Sequence, residues 1–366
     1  MGNNYVYAQP VKIWFGAGKL AELGQILKEL GCGRCLLVCG RHFLPQAEKL
    51  AADIPAVCGI FSEVEANPKL SGAVQAARLA VETGAEAILG IGGGSVIDTA
   101  KFAAAAATDP DSAEALYRGE KPFPQRALPV IAVPTTAGTG SEVTQVSVIS
   151  HGAEKRSINQ PCFMPKAAVV DPELMRTVPP YTTMITGLDA MAHALEGYWS
   201  VHHQPIPDLM AIEAVRLILQ NLERAWKNGN DQDAREALAQ ASLLGGLSFA
   251  VPKTAACHAC SYPLSEECHL PHGEACAFTL DSFVRINADE RLQALCRRAG
   301  LSGCEELAEK IAAFKQMAGL KTRLSELGEG ADPEVLARKA AVHPLMQNNP
   351  VPMDEAALKA MFEKLR

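Results

Sequence analysis

Four side chains carry the sharpest chemistry in this sequence. Asp189 and His193 lie four apart in the run GLDAMAHALEGY. On a helix that spacing puts both on one face, within reach of a single ion. The same spacing also serves as a plain helix-stabilising pair, so it signifies a metal only with further donors. His258 and His272 supply them from a distant stretch. Pro263 and Pro271 are expected to break any continuous helix there, so a loop must return the chain for the imidazoles to converge. One carboxylate and three imidazoles suit a divalent first-row ion, Fe2+ or Zn2+, with a position left open for a substrate.

A second chemistry sits earlier. Gly90-Ile91-Gly92-Gly93-Gly94-Ser95-Val96 reads as a strand entering a glycine turn, then a helix beginning near Val96 and continuing past Asp98. Glycines let the backbone approach a pyrophosphate, and the first N–H groups of the helix point at it. The spacing departs from the G-x-G-x-x-G fingerprint, and a tight turn without ligand has the same look. Pro134-Thr135-Thr136-Ala137-Gly138-Thr139-Gly140-Ser141 follows another strand pattern and is rich in hydroxyls suited to ribose and phosphate. In isolation it reads as a solvated loop. Two such loops at strand carboxyl ends mark the ligand edge of an open α/β sheet.

The elements that position these groups fall into two sets. Arg34–Cys39, Ala87–Ile91 and Leu128–Pro134 are continuous apolar runs separated by helix-length segments, which predicts a doubly wound parallel sheet buried on both faces. After Pro179–Pro180 strand signals vanish. Helices are predicted over 182–200, 208–228, 233–250, 291–299, 304–327, 333–341 and 354–365, with Asp208, Asp233 and Asp354 as N-caps. The expected organisation is an α/β nicotinamide dinucleotide-binding domain over 1–179 and an all-α metal-binding, catalytic domain over 180–366.

Composition restricts the rest. With 366 residues, 48% hydrophobic and 20% charged, the chain reads as an ordinary globular protein with two cores. A net charge of −7 argues against a general nucleic-acid binder. No secretory leader or membrane span is apparent, which predicts a cytoplasmic enzyme with no membrane partner. The eleven cysteines read as reduced small hydrophobes; Cys257, Cys260, Cys268 and Cys276 lack the second C-x2-C knuckle of a zinc ribbon.

Taken in order, FGAG at 15–18, GGGSVIDTAK at 92–101, PTTAGTGSEVT at 134–144, VVDPEL at 169–174, GLDAMAHALEGY at 187–198 and the His258 to PHGEA stretch resemble the iron-containing (group III) alcohol dehydrogenases over nearly the whole chain. The resemblance implies their dehydroquinate synthase-like fold, NAD(H) or NADP(H), and a homodimer. It implies Asp189, His193, His258 and His272 as metal ligands, with His258 and His272 also placed at the reacting centre. It implies cofactor contacts at Gly92, Gly93, Gly94, Ser95, Asp98, Thr135, Thr136, Thr139, Ser141, Val143, Lys155 and Leu174.

Two departures from the family pattern matter. Tyr262 stands where many members carry a proton-relay histidine, and becomes the candidate for that role. Gly40, at the end of the first core strand, replaces the acid that meets the adenosine ribose in NAD-preferring members, and Arg41 follows it. Tolerance of, and a lean toward, NADPH is expected.

Within the family, the segment from Lys253 to Leu264 is similar to the phosphonoacetaldehyde reductase (2-hydroxyethylphosphonate dehydrogenase) branch. The implied reaction is hydride transfer between nicotinamide and a small aldehyde, with Arg156 and Lys253 as candidate cations for a phosphonate. Alternatives are another small aldehyde such as lactaldehyde or butanal, or a sugar-phosphate cyclase of the dehydroquinate synthase type. Asp189 and the fourth ligand weigh against the cyclase.

Overall fold

The computed structural model describes residues 4–152, 154–328 and 330–366. Two compact units emerge. Of the described residues, one comprises those in 8–136 and 141–175; the other comprises those in 4–7, 137–140 and 176–366.

The first unit is built on eight strands: β1 Lys12–Phe15, β2 Cys35–Cys39, β3 Val57–Phe61, β4 Ala87–Gly92, β5 Val130–Pro134, β6 Val146–His151, β7 Glu154–Asn159 and β8 Ala167–Val170. Six form an all-parallel sheet in the order β1-β8-β5-β4-β2-β3. Alternation along β2 explains the two layers of helix. Cys35, Leu37 and Cys39 join one apolar core with helix α1 (Leu23–Glu29) and part of α2 (Leu44–Asp53). Leu36 and Val38 join the other, with α3 (Leu70–Glu82), α4 (Gly94–Ala106) and α5 (Ala113–Arg118). The direction of winding reverses between β2 and β4, which opens the ligand crevice at their carboxyl ends. The predicted doubly wound parallel sheet is therefore present. An antiparallel hairpin, β6–β7, was not foreseen.

The second unit is helical: α6 Pro180–Trp199, α7 Pro205–Lys227, α8 Gln232–Phe249, α9 Ala256–Glu267, α10 His272–Ile286, α11 Glu290–Arg298, α12 Cys304–Met317, α13 Pro333–Ala341 and α14 Glu355–Lys364. Helix α6 is buried along nearly its whole length, as a helix apolar on all sides must be. Two expected caps are corrected. Asp208 lies inside α7, where its carboxylate takes up Arg291. The cap of α8 is Asp231, which accepts from Ala234 N, and Asp233 sits in the first turn. Asp354 does cap α14. Helix α12 stops at Met317, ten residues before the expected end at Leu327, because Gly319 adopts φ +64° and closes it. No helix among the described residues is long and apolar enough to cross a membrane.

Candidate metal centre

Asp189 on α6, His258 on α9, and His272 and Cys276 on α10 bring their donor atoms within 4.8 Å of one another. Helix α6 carries Asp189, His193 and Glu196; α9 carries His258 and Tyr262; α10 carries His272 and Cys276. Pro263 does not break α9, contrary to expectation, but lies inside it. A proline there forfeits one N–H, and the helix absorbs the loss. Pro271 is the N-cap of α10, so a short turn at 268–271 brings the two histidines together.

Asp189, His193 and His258 are buried. Asp189 Oδ1 lies 3.9 Å from His193 Nδ1, 3.7 Å from His258 Nε2 and 3.9 Å from His272 Nε2. It has no hydrogen-bond partner, although an unpaired buried carboxylate oxygen is costly. His193 Nδ1–H donates to Gly138 O at 3.3 Å, and its ring stacks on Phe249 at 4.3 Å. His258 Nδ1–H donates to Glu196 Oε2. With both Nδ1 atoms acting as donors, the Nε2 atoms of neutral rings are both acceptors, yet they face one another at 3.0 Å. Two lone pairs at that distance repel unless a proton or a metal cation lies between them. The orphaned carboxylate oxygen and the opposed imidazoles fit a divalent ion. His272 is the candidate ligand on the accessible side, its side chain 36% exposed.

Glu196, quoted in the sequence motif without a role, orients this centre. Helix α9 has no side-chain cap of its own. Glu196 Oε1 accepts from Ala255 N at 2.9 Å and His258 N at 3.2 Å, while Oε2 takes His258 Nδ1. One buried carboxylate therefore caps the helix and fixes the tautomer of a ligand on it. Burial alone would lower the proton affinity of His258, but the neighbouring Cys276 and Glu196 outweigh it and hold it well above the usual imidazole range. Burial drives His193 down to about 4, which keeps it neutral and ready to ligate.

Tyr262 stacks on His343 at 4.3 Å, a neighbour with no sequence signal because it arrives from the end of α13. Lys253 sits in the α8–α9 loop with a left-handed backbone, φ +69°. Its N–H donates to Phe249 O and its ammonium to Ala250 O at 2.9 Å.

In the sheet unit, Gly93, Gly94 and Ser95 are partly exposed at the carboxyl end of β4. A Cβ at Gly92 would collide with Val96, so glycine there permits the tight entry into α4. Thr135 is buried and its N–H bonds to Gly92 O, tying the β5 loop to the glycine turn; Thr136 is partly exposed beside Gly93. Asp98 is turned inward, accepting from Ser141 Oγ at 2.6 Å and Val148 N at 2.9 Å. Lys101, fully buried and pushed down to about 8, donates to the same Ser141 hydroxyl and to Val146 O. Asp98 and Ser141 thus brace the loops.

The remaining cofactor candidates divide in the same way. Val143 is buried and its carbonyl accepts from Gln9; Leu174 lies in a 3-10 turn; Lys155 donates to Asn67 Oδ1 at 3.3 Å. Gly40 caps the turn after β2, and Arg41 is exposed and paired with Glu63 through Nε at 2.8 Å. Thr139 belongs to the helical unit, where Gly140, at φ +58°, leaves no room for a Cβ against Gly246. Arg156 lies on β7, where its guanidinium donates to Tyr117 O of α5 at 2.5 Å and pairs with Glu154.

Residues 10–172 match the iron-containing alcohol dehydrogenase family model, and residues 183–365 match the C-terminal model of the same family. The chain belongs to the iron-containing alcohol dehydrogenase family. Membership makes it an oxidoreductase acting on CH–OH groups. Long-chain-alcohol dehydrogenase 1 of Geobacillus thermodenitrificans is 34% identical over 83% of this chain and 81% of its own. Sulfoacetaldehyde reductase of Bilophila wadsworthia is 29% identical over 98% of both chains. Among solved structures, sulfoacetaldehyde reductase of Bifidobacterium kashiwanohense in complex with NAD+ superposes with a TM-score of 0.95 at 38% identity, covering 100% of this chain and 99% of that one.

Proposed function

We propose that this dehydrogenase reduces a small aldehyde bearing an anionic group, with phosphonoacetaldehyde to 2-hydroxyethylphosphonate as the first reading. Lys253 carries the proposal. Lys253 is partly buried, which lowers its proton affinity, and the ammonium meets the Ala250 carbonyl rather than a carboxylate among the described residues. A charge in that position calls for an anion. The loop holding it is fixed at both ends to the ligand cluster, by Phe249 stacked on His193 and by His258 itself. Sulfoacetaldehyde is the second reading, favoured by the sulfoacetaldehyde reductases among the relatives.

Asp189, His193, His258 and His272 would hold the divalent ion, Fe2+ or Zn2+. When bound, the ion supplies Lewis acidity at the carbonyl oxygen and NAD(H) or NADP(H) supplies or accepts the hydride. Glu196 keeps His258 oriented, Lys253 is assigned the anionic end, and the Tyr262 phenol, one turn from His258 and stacked on His343, is assigned the proton. Lys253→Met is expected to lower kcat/KM for phosphonoacetaldehyde or sulfoacetaldehyde about 10- to 100-fold, the ~1.5–3 kcal/mol of a charged hydrogen bond, while butanal stays within about threefold. An equal loss on charged and neutral aldehydes would refute the assignment.

Both nicotinamide forms are proposed as cofactors. No carboxylate follows β2 to repel a 2′-phosphate, but Arg41 already answers Glu63. Dissociation constants for NADH and NADPH are expected within about tenfold of one another. Glu63→Gln, by freeing Arg41, is expected to move the ratio toward NADPH by roughly threefold to tenfold at low salt and less at high salt. Titration of both cofactors into both proteins checks this; an unchanged ratio counts against a role for Arg41.

A further inference from the structure

We propose that Cys276 Sγ is an additional donor to the divalent ion, and that this thiolate tilts the site from iron toward zinc. The inference rests on the metal-centre reading above. Cys276 follows His272 by one turn of α10 and is fully buried. Its Sγ lies 3.8 Å from His272 Nε2, and the donor atoms of Asp189, His258, His272 and Cys276 all lie within 4.8 Å of one another. Bonds of about 2.0–2.3 Å place neighbouring donors of one ion roughly 3–4 Å apart, and Asp189 Oδ1–His258 Nε2 at 3.7 Å, Asp189 Oδ1–His272 Nε2 at 3.9 Å and Cys276 Sγ–His272 Nε2 at 3.8 Å fall in that range. The unpartnered Asp189 Oδ1, buried beside the thiol, independently marks the point as a cation position.

Of the four cysteines at 257, 260, 268 and 276, only Cys276 belongs to this cluster. Cys257 and Cys260 lie in the apolar core along α9, and Cys268 follows that helix at its C-cap. Binding exchanges the S–H bond for an S–metal bond; the proton leaves to solvent and nothing is oxidised or reduced. Soft thiolate donors favour zinc over ferrous iron, and zinc already binds more tightly than ferrous iron at most nitrogen and oxygen sites. Relative to Cys276→Ser, the unaltered protein is expected to prefer Zn2+ over Fe2+ by a further factor on the order of tenfold.

The test loads the full chain and Cys276→Ser with one equivalent of Co2+ under anaerobic conditions and reads their absorption spectra. The unaltered protein is expected to show the visible bands of bound cobalt together with a near-ultraviolet thiolate-to-cobalt charge-transfer band. Cys276→Ser is expected to keep the visible bands and lose the charge-transfer band. Visible bands without charge transfer in the unaltered protein overturn the role of Cys276 and leave the four-ligand reading standing. A charge-transfer band that survives in Cys276→Ser assigns it to another cysteine and also overturns the proposal. Failure of the unaltered protein to bind cobalt at all removes both.

Discussion

His258→Ala is expected to abolish metal retention and to lower aldehyde turnover by about a thousandfold or more. Lewis-acid polarisation contributes several kcal/mol to such a reaction, and ~4 kcal/mol corresponds to that factor. The effect should exceed that of a generic core change for a structural reason. His258 Nε2 is one of two opposed acceptors, and removing it leaves His193 and Asp189 without the fourth side of the cluster. Glu196 would still accept from the backbone N–H groups of residues 255 and 258, so α9 keeps its cap and the fold should survive. Metal content after dialysis, turnover and circular dichroism together check the expectation. A folded variant with full activity would exclude His258 from the site.

Glu196→Gln is expected to weaken metal binding about 10- to 100-fold, although Glu196 meets no substrate. The amide can still accept from Ala255 N and His258 N through its oxygen. Its nitrogen, however, would present a donor to His258 Nδ1–H. The imidazole must then change tautomer, which places a proton on the Nε2 that should meet the ion, or rotate away. Either course costs affinity while conserving shape. Chelator competition separates this from simple destabilisation, because the thermal melt without metal should shift far less than the metal affinity. Unchanged affinity, within about twofold, would leave Glu196 as a helix cap alone.

The sheet was legible because β2, β4 and β5 are buried on both faces and so read as unbroken apolar runs. The β6–β7 hairpin was not, since Val146–His151 and Glu154–Asn159 are half-exposed and mix polar with apolar residues. Most helices of the second unit were found by periodicity, but their ends were not, and α9 and α10 were missed because Pro263 and Pro271 read as breakers of that stretch. Cap choice turned on backbone angles at Asp231 and Gly319 rather than on residue type at Asp233 or Leu327. Asp189 and His193 were visible at helical spacing, and His258 and His272 as residue types on a stretch expected to loop.

Their supporting groups were not, for one physical reason. Glu196, Cys276 and His343 acquire their roles from which helix packs on which, and spacing within one helix carries no such information. Arg156 gives the same lesson: its contact with the Tyr117 carbonyl comes from the packing of α5 against β7, which no local motif encodes.

The central claim, one divalent ion gripped by α6, α9 and α10, is tested most directly by an anomalous difference map from crystals of metal-loaded protein, recorded at the absorption edge of the metal. A single peak per chain is predicted, about 2.0–2.2 Å from Asp189 Oδ1 and from Nε2 of His193, His258 and His272. A metal-replete crystal with its peak elsewhere, or with any of those three imidazoles turned away from it, would contradict the account.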